Sequence, residues 1–144
     1  MSISWGEVGL FIDGAGLAHL ATSDSTGGPH VSVVFAVREG DRLTLTTRRS
    51  SKKARNLRSD PRAALMWQGN GAETYVWGEV ELIDDQTEKS RVWNAGLFPF
   101  DLGQFFGSED ALGWLVVHVH PSRAVVVAQT DAGLERSEWR LQSE

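Results

Sequence analysis

Residues 48–62 read RRSSKKARNLRSDPR, and this basic segment is the most informative part of the chain. It contains seven of the 14 lysine and arginine residues but only one of the 19 acidic residues. Because the formal net charge of the whole chain is −5, an otherwise acidic protein has gathered half of its positive charge into one short segment. A patch of this kind usually faces an anion.

The local pattern within the basic segment predicts a helix over about residues 51–59. Ser50 and Ser51 are both favoured N-cap residues, and Pro61 ends a helix. Lys52 and Lys53 then lie in the first turn, where the helix dipole favours acidic groups instead. A phosphate held by free backbone N–H groups, serine hydroxyls and lysines would resolve this conflict. A basic helix face exposed to solvent remains the alternative, because lysine and arginine are good helix formers.

The rest of the chain alternates short apolar runs with turn residues, which is typical of antiparallel sheets. We predict one domain over residues 1–144, mainly β with short helices, in which six or seven antiparallel strands form a closed barrel. The predicted strands are 17–23, 30–38, 42–47, 63–68, 73–83, 115–120 and 123–129, with a further strand near 139–141. The predicted helices are 4–13, capped by Ser4, a segment from Asp84 or Asp85 to about Ala95, and a short helix within 98–107.

Composition excludes several classes of function. The chain has no cysteine, so disulfides and thiolate chemistry are excluded, and we expect a cytoplasmic protein. The N-terminus lacks a basic region followed by an apolar core, and no apolar run reaches 18 residues, so we expect neither a signal peptide nor a membrane span. The negative charge argues against nucleic acid as a partner.

Isolated candidate residues give weaker signals. His118 and His120 share one face of a predicted strand, but two imidazoles do not make a metal site without a third ligand, so we expect structural or surface roles and no metal. Trp67 and Trp77 flank a predicted turn and either wall a ring pocket or pack in a core or subunit contact. No catalytic set of side chains can be identified, and the catalytic residues stay unknown.

The order of these elements resembles a known family. A Gly-Gly-Pro-His turn, a Gly-Asp turn, a threonine-rich strand and the phrase KARNLRSDPR over residues 53–62 resemble the pyridoxamine 5′-phosphate oxidase-like proteins, which include flavin- and deazaflavin-dependent oxidoreductases. The resemblance covers residues 17–83 well. It implies a six-stranded antiparallel split β-barrel, also called the FMN-binding split barrel. It also implies a homodimer with cofactor in grooves between the subunits.

The resemblance also assigns cofactor-binding positions in this sequence. They fall on the strand that contacts the cofactor ring, on the end of the threonine-rich strand, on the start of the basic helix and on a later strand. In that order the residues are Ser32, Val33 and Val34, then Thr46, Thr47 and Arg48, then Ser51, Lys52, Lys53, Arg55 and Asn56, and finally Trp77.

The chain departs from the true oxidases where they bind substrate. Those enzymes have basic residues at both ends of the second strand, where this chain has Val31 and Ala36. Their C-terminal Arg-Leu-His-Asp-type motif is absent as well. We therefore do not expect oxidation of pyridoxamine phosphate.

These observations together favour hydride transfer between a cofactor and a small-molecule substrate. The cofactor supplies this chemistry, so an acidic or nucleophilic side chain is not required. F420 is the favoured cofactor, because its phosphodiester carries a polyglutamate tail that Arg48, Arg49, Arg55 and Arg58 could follow. FMN, in an oxidoreductase or a stress or sensor protein, is the alternative. A non-catalytic carrier or a haem-related protein is a third.

Overall fold

The computed structural model describes residues 1–142, in which eight strands and four helices are found. The strands are β1 (Ala18–Ser23), β2 (Pro29–Val34), β3 (Val37–Glu39), β4 (Arg42–Arg48), β5 (Arg62–Gly69), β6 (Ala72–Ile83), β7 (Trp114–Thr130) and β8 (Gly133–Arg140). The helices are α1 (Trp5–Ile12), α2 (Lys52–Ser59), α3 (Gln86–Asn94) and α4 (Leu102–Phe106). None of these helices is long and apolar enough to cross a membrane.

The strands pair in the order β2-β1-β5-β6-β7-β4-β3, and every ladder is antiparallel. β2 and β3 at the two ends of this order are halves of one predicted strand, residues 30–38, which bends at Phe35 and Ala36. The sheet therefore returns on itself and forms a six-stranded barrel, as predicted. β8 is an additional strand that pairs with the second half of β7, and the predicted tail strand forms part of it.

The barrel interior is filled by alternate residues of its strands, among them Leu20, Leu45 and Leu65. α1 packs against this core through Trp5 and Val8. The helix begins with a capping box in which Ser4 and Glu7 satisfy each other's backbone N–H groups. The predicted helix 4–13 is confirmed within a residue at each end.

A second, smaller core lies on the outer face of β4 and β7. It is built around Val92 of α3 with Trp114 and Val116 of β7, and Phe98 and Phe106 pack against it. Because α3 and α4 cover this face, the strands carry apolar side chains on their outer face here as well as on the face that lines the barrel interior. This explains the long apolar run in β7, which is buried on both faces over residues 114–119.

The predicted break at Pro121-Ser122 is wrong, because β7 is continuous from Trp114 to Thr130. The proline lies where the neighbour of β7 changes from β4, which pairs as far as Val119, to β8, which pairs from Arg123. On its other side it lies opposite Gly78, at a register shift of the β6–β7 ladder that leaves Ser122 of β7 without a partner in β6. A missing N–H is tolerated at such an irregularity.

Candidate functional site

The barrel is open between β2 and the end of β4. The ladder between β3 and β4 ends where Val37 pairs with Thr44. The same register, continued, would place Val34 opposite Thr47, but β2 leaves β4 at the bend and pairs with β1. One edge of β2 and the facing edge of β4 thus carry backbone groups that no β-ladder uses within the described chain. We call this opening the split.

The start of α2 lies at the β4 end of the split. The hydroxyls of Thr47 and Ser51 share a hydrogen bond of 2.8 Å, and Ser51 Oγ also accepts from the N–H of Ala54 at 3.1 Å. The first-turn N–H groups of Lys52 and Lys53 have no acceptor within residues 1–142. The hydroxyls of Thr47 and Ser51 and the two free N–H groups therefore lie close together. Anion sites at helix starts require such a group of donors.

Four basic residues around this point have no carboxylate within ion-pair distance in the described chain: Arg48, Lys52, Lys53 and Arg55. Arg48, Lys52 and Arg55 are exposed, while Lys53 is half-buried, and this burial lowers the pKa of its ammonium group. A bound anion would favour the charged form of Lys53 and offset the effect of burial. The electrostatics of the helix start thus suit a phosphate.

Other basic residues of the segment make hydrogen bonds or ion pairs within the protein. Arg49 bonds Asp84 at 2.5 Å and the carbonyl of Leu112 at 2.6 Å, and Arg58 donates to the carbonyl of Arg49 at 3.1 Å. Arg62 pairs with a neighbouring carboxylate of its own turn. Of the four arginines expected to follow a cofactor tail, Arg49 and Arg58 already make internal contacts. Sequence spacing cannot show the contacts of Arg49, because Asp84 and Leu112 come from distant segments.

β2 presents its predicted site residues in two directions. Ser32 and Val34 point towards the barrel interior, and Val33 points outwards and is exposed. The hydroxyl of Ser32 is buried and has no hydrogen-bond partner in the described chain, and the same is true of His30 Nδ1 on the same strand face. Buried polar atoms of this kind call for an explanation, and a bound ligand is one.

Three predicted site residues do not bring their side chains to the split. Trp77 stacks on Tyr75 on the outer face of β6, with ring centroids 6.2 Å apart, and β1 and β5 separate β6 from β2. The buried amide of Asn56 donates to Thr22 at 3.0 Å, so it anchors α2 to β1. Thr46 lies on the outer face of β4 with Val116.

The two strand histidines make separate polar contacts. His118 is buried, its Nδ1 lies 3.1 Å from the hydroxyl of Thr44, and its Nε2 donates to Glu88 at 2.6 Å. Burial is the main reason that the pKa of His118 is lowered. His120 is exposed and bonds Glu81. No cluster of three metal-binding side chains occurs within residues 1–142.

Residues 5–101 match the family described as pyridoxamine 5′-phosphate oxidase, and the chain belongs to this family. The match ends before α4, so it leaves out β7 and β8. A comparison with curated proteins gives no match.

Solved structures with the same fold include three with different descriptions. General Stress Protein 26 from Bacillus anthracis str. Sterne has a TM-score of 0.73 at 18% identity, over 94% of this chain and 97% of that one. A pyridoxamine 5′-phosphate oxidase-related, FMN binding protein from Nostoc punctiforme has a TM-score of 0.60 at 16% identity, over 96% and 94%. An F420 reductase has a TM-score of 0.57 at 22% identity, over 75% and 87%. At these identities the likeness concerns the fold.

Proposed function

We propose that this protein is an oxidoreductase that binds a flavin-type cofactor in the split, with the cofactor's phosphate at the start of α2. The observation that carries the proposal is the meeting of three features in one opening. They are the free edge of β2, the free edge of β4, and a helix start with two hydroxyls, two free N–H groups and unpaired lysines. Membership of the oxidase family supports the same reading.

Each part of the split has a separate task in this proposal. Ser51, Thr47 and the first turn of α2 hold the phosphate through N–H and hydroxyl donors. The backbone edge at Ser32–Val34 offers donors and acceptors to the heteroatoms of the ring, and the unpartnered Ser32 hydroxyl adds one more. When bound, the cofactor supplies hydride transfer, and the protein orients it and excludes water. This division of tasks is consistent with a site without a side-chain nucleophile.

We propose F420 as the cofactor. Arg48 and Arg55 are exposed and have no carboxylate partner in the described chain, so they can meet negative charge beyond the first phosphate. One of the solved structures with the same fold is an F420 reductase. FMN is the second candidate, because Arg49 and Arg58 are engaged in internal contacts and fewer basic groups remain for a tail than the sequence suggested. The FMN binding protein from Nostoc punctiforme has the same fold.

Titration of the purified protein with F420 and with FMN, followed by absorbance and fluorescence, tests the proposal. We expect saturable binding of F420 and weaker binding of FMN. Arg55→Ala should weaken F420 by a few-fold at low salt, because an exposed charge contact is worth about 0.2–1 kcal/mol, and should leave FMN unchanged. The exposed Arg136 on β8 provides the matched control, Arg136→Ala.

Each outcome of the titration decides between named alternatives. Binding of FMN alone would replace F420 by FMN, and binding of neither would contradict the proposal. Turnover of the reduced, bound cofactor with an added electron acceptor separates an enzyme from a non-catalytic carrier.

The split lacks the basic residues that the true oxidases use for their substrate, since Val31 and Ala36 occupy those places. Pyridoxamine phosphate should therefore not be turned over.

A further inference from the structure

A cavity of about 290 Å³ lies beside the bend that closes the split. Its apolar wall is formed by Ile12 of α1, Phe35 and Val37 of the bent strand, and Leu97 after α3. Phe35 directly follows Val34, and successive residues of a strand are about 3.3 Å apart. The cavity is therefore within one or two residues of the backbone edge to which we assign the cofactor ring.

Phe35, the aromatic residue of the cavity wall, packs against other phenylalanine rings. The ring of Phe35 meets Phe98 and Phe100 edge-on, at centroid distances of 6.3 and 6.1 Å and interplanar angles of 82° and 83°. Phe100 in turn meets Phe105 at 5.2 Å. Such edge-to-face contacts favour one ring orientation, so Phe35 presents a fixed aromatic surface to the cavity.

The polar side of the cavity is an ion pair with spare donors. Arg38 donates through Nε and Nη2 to Asp13 at 3.2 and 2.6 Å, and its Nη1 group has no acceptor within residues 1–142. Its guanidinium lies across Gly9 of α1, where a Cβ would come within 2.5 Å of Arg38 Cζ. A glycine inside a helix normally weakens it relative to alanine, and here the missing side chain makes room for Arg38.

We propose that this cavity, which the lining residues Phe35, Leu97 and Arg38 define, binds the substrate of the oxidoreductase proposed above. The substrate class is a neutral compound of one or two rings with a hydrogen-bond acceptor such as a carbonyl oxygen. Ligand pockets usually measure about 300–1,000 Å³, so this volume selects small rings. Asp13 already neutralises Arg38, so a neutral acceptor fits Nη1 better than a second carboxylate does.

Binding of small probes to the protein without cofactor tests the site directly. Benzamide has a ring and a neutral acceptor, benzoate has a charged acceptor, and toluene has none. We expect benzamide to shift the backbone amide resonances of Gly14 and Gly16, which line the cavity, in a saturable way. Toluene should bind at least about 10-fold more weakly, as expected for a lost hydrogen bond to a charged donor. Benzoate should also bind more weakly than benzamide, because Asp13 already pairs with Arg38 and a second carboxylate would lose its hydration beside that of Asp13.

Three variants locate the site and separate it from a general effect on folding. Leu97→Trp should fill the cavity, and Gly9→Ala should displace the Arg38 guanidinium while favouring the helix; each should weaken benzamide by about 10-fold or more. Leu134→Trp, at an exposed position on β8, is the matched control and should leave benzamide binding unchanged. All three should bind the cofactor as the native protein does.

The outcomes distinguish this site from the proposed function. Unchanged benzamide affinity in both Leu97→Trp and Gly9→Ala would overturn the site, and equal affinity for the three probes would overturn the substrate class. If the native protein binds cofactor but none of the probes, the cavity assignment fails and the proposed function stands. If it binds benzamide at this cavity but no cofactor, the proposed function fails and the cavity is a ligand site without that role.

Discussion

At the scale of single residues, Lys53 and Arg62 lie at opposite ends of α2 and should differ in importance for cofactor binding. Lys53 is half-buried in the first turn of α2, whereas Arg62 lies beyond Pro61 and is paired with Asp60. Lys53→Ala removes a charge-assisted contact worth roughly 1.5–3 kcal/mol, so the dissociation constant should rise about 10- to 150-fold. Arg62→Ala is the control in the same fluorescence titration. Equal, small effects of the two changes would contradict the assignment of the phosphate to the start of α2.

Asn70 connects the β5–β6 turn to the C-terminal end of α1 through hydrogen bonds. Its φ of 54° lies in the left-handed region, and its side-chain amide donates to the carbonyls of Phe11 and Asp13 at 3.1 Å each. Asn70→Ala should destabilise the protein by about 1–3 kcal/mol, through lost hydrogen bonds and a strained φ. Asn70→Gly keeps the φ without strain and should cost less. Urea unfolding of both variants measures the difference, and equal losses would contradict the role of the backbone conformation.

At the scale of elements, the loop between β4 and α2 is fixed by residues that do not touch the candidate site. Arg49 bonds Asp84 and the 112–113 backbone, and the fully buried Lys89 lies 3.6 Å from the same carboxylate of Asp84 and donates to the carbonyl of Ala111 at 2.9 Å. Asp84→Ala should therefore loosen the loop and weaken cofactor binding by a few-fold. Calorimetric titration measures this, with Asp131→Ala in the β7–β8 turn as control.

Loosening of the loop should be visible apart from affinity. Hydrogen exchange of the Arg49 amide, which donates to the Gly113 carbonyl at 2.8 Å, should accelerate in Asp84→Ala and not in Asp131→Ala. If exchange accelerates but affinity is unchanged, the loop does not position the phosphate site.

The packing of α3 on the barrel makes stability depend on pH. Hydrogen bonds from Arg91 first, and then from His118, lower the pKa of Glu88 to about 2 from an ordinary 4.5. A carboxylate with a lowered pKa stabilises the folded state above its unfolded pKa, and this contribution is lost as the pH falls from about 4.5 towards 2. The loss is on the order of 1–2 kcal/mol once solvent screening is included. Urea midpoints measured across this range should fall in the native protein.

Glu88→Gln should be less stable than the native protein at pH 6 and should lose less stability between pH 4.5 and 2. Glu135→Gln, at an exposed position on β8, is the control and should follow the native curve. The lowered pKa of His118 acts in the same direction at higher pH, because an unfolded histidine takes up a proton below about 6.5 more readily than the buried one. Parallel curves for Glu88→Gln and the native protein would contradict the assignment to Glu88.

The elements show which parts of the structure local sequence could predict. α2 could be predicted because Ser50 or Ser51 and Pro61 define its ends through local geometry, and the structure selects Ser51 as the cap. The continuity of β7 past Pro121 could not, because it depends on which strands lie beside the proline. The side-chain partner of Asn56 could not be predicted either. The sequence assigned Asn56 to the cofactor, whereas its amide donates to Thr22, a distant residue on β1. The charge of the basic segment predicted an anion site, but only the structure shows which of its arginines already have partners within the protein.

At the scale of the whole molecule, one outer face of the barrel is apolar and uncovered. Leu17, Val31 and Val33 are each more than half exposed. The registers place Val31 beside Ala21 and, across β1 and β5, in line with Trp77 of β6. Exposed apolar surface rimmed by polar residues usually marks an interface. Since Val33 lies on the strand that borders the split, a second copy on this face would also shield the cofactor and could bring its own Trp77 near.

We therefore expect a C2 homodimer in which this face meets its copy. The double change Val31→Glu/Val33→Glu places like charges opposite each other across the twofold axis and should yield monomers of 15.8 kDa in light scattering at micromolar concentration. Cofactor affinity should fall when dimerisation is lost, although both side chains point away from the barrel interior. Leu134→Glu, at an exposed position on β8, should remain dimeric and bind cofactor normally. A native protein that is monomeric with cofactor bound would show that the split is complete within one chain, and Trp77 would then have no route to the cofactor.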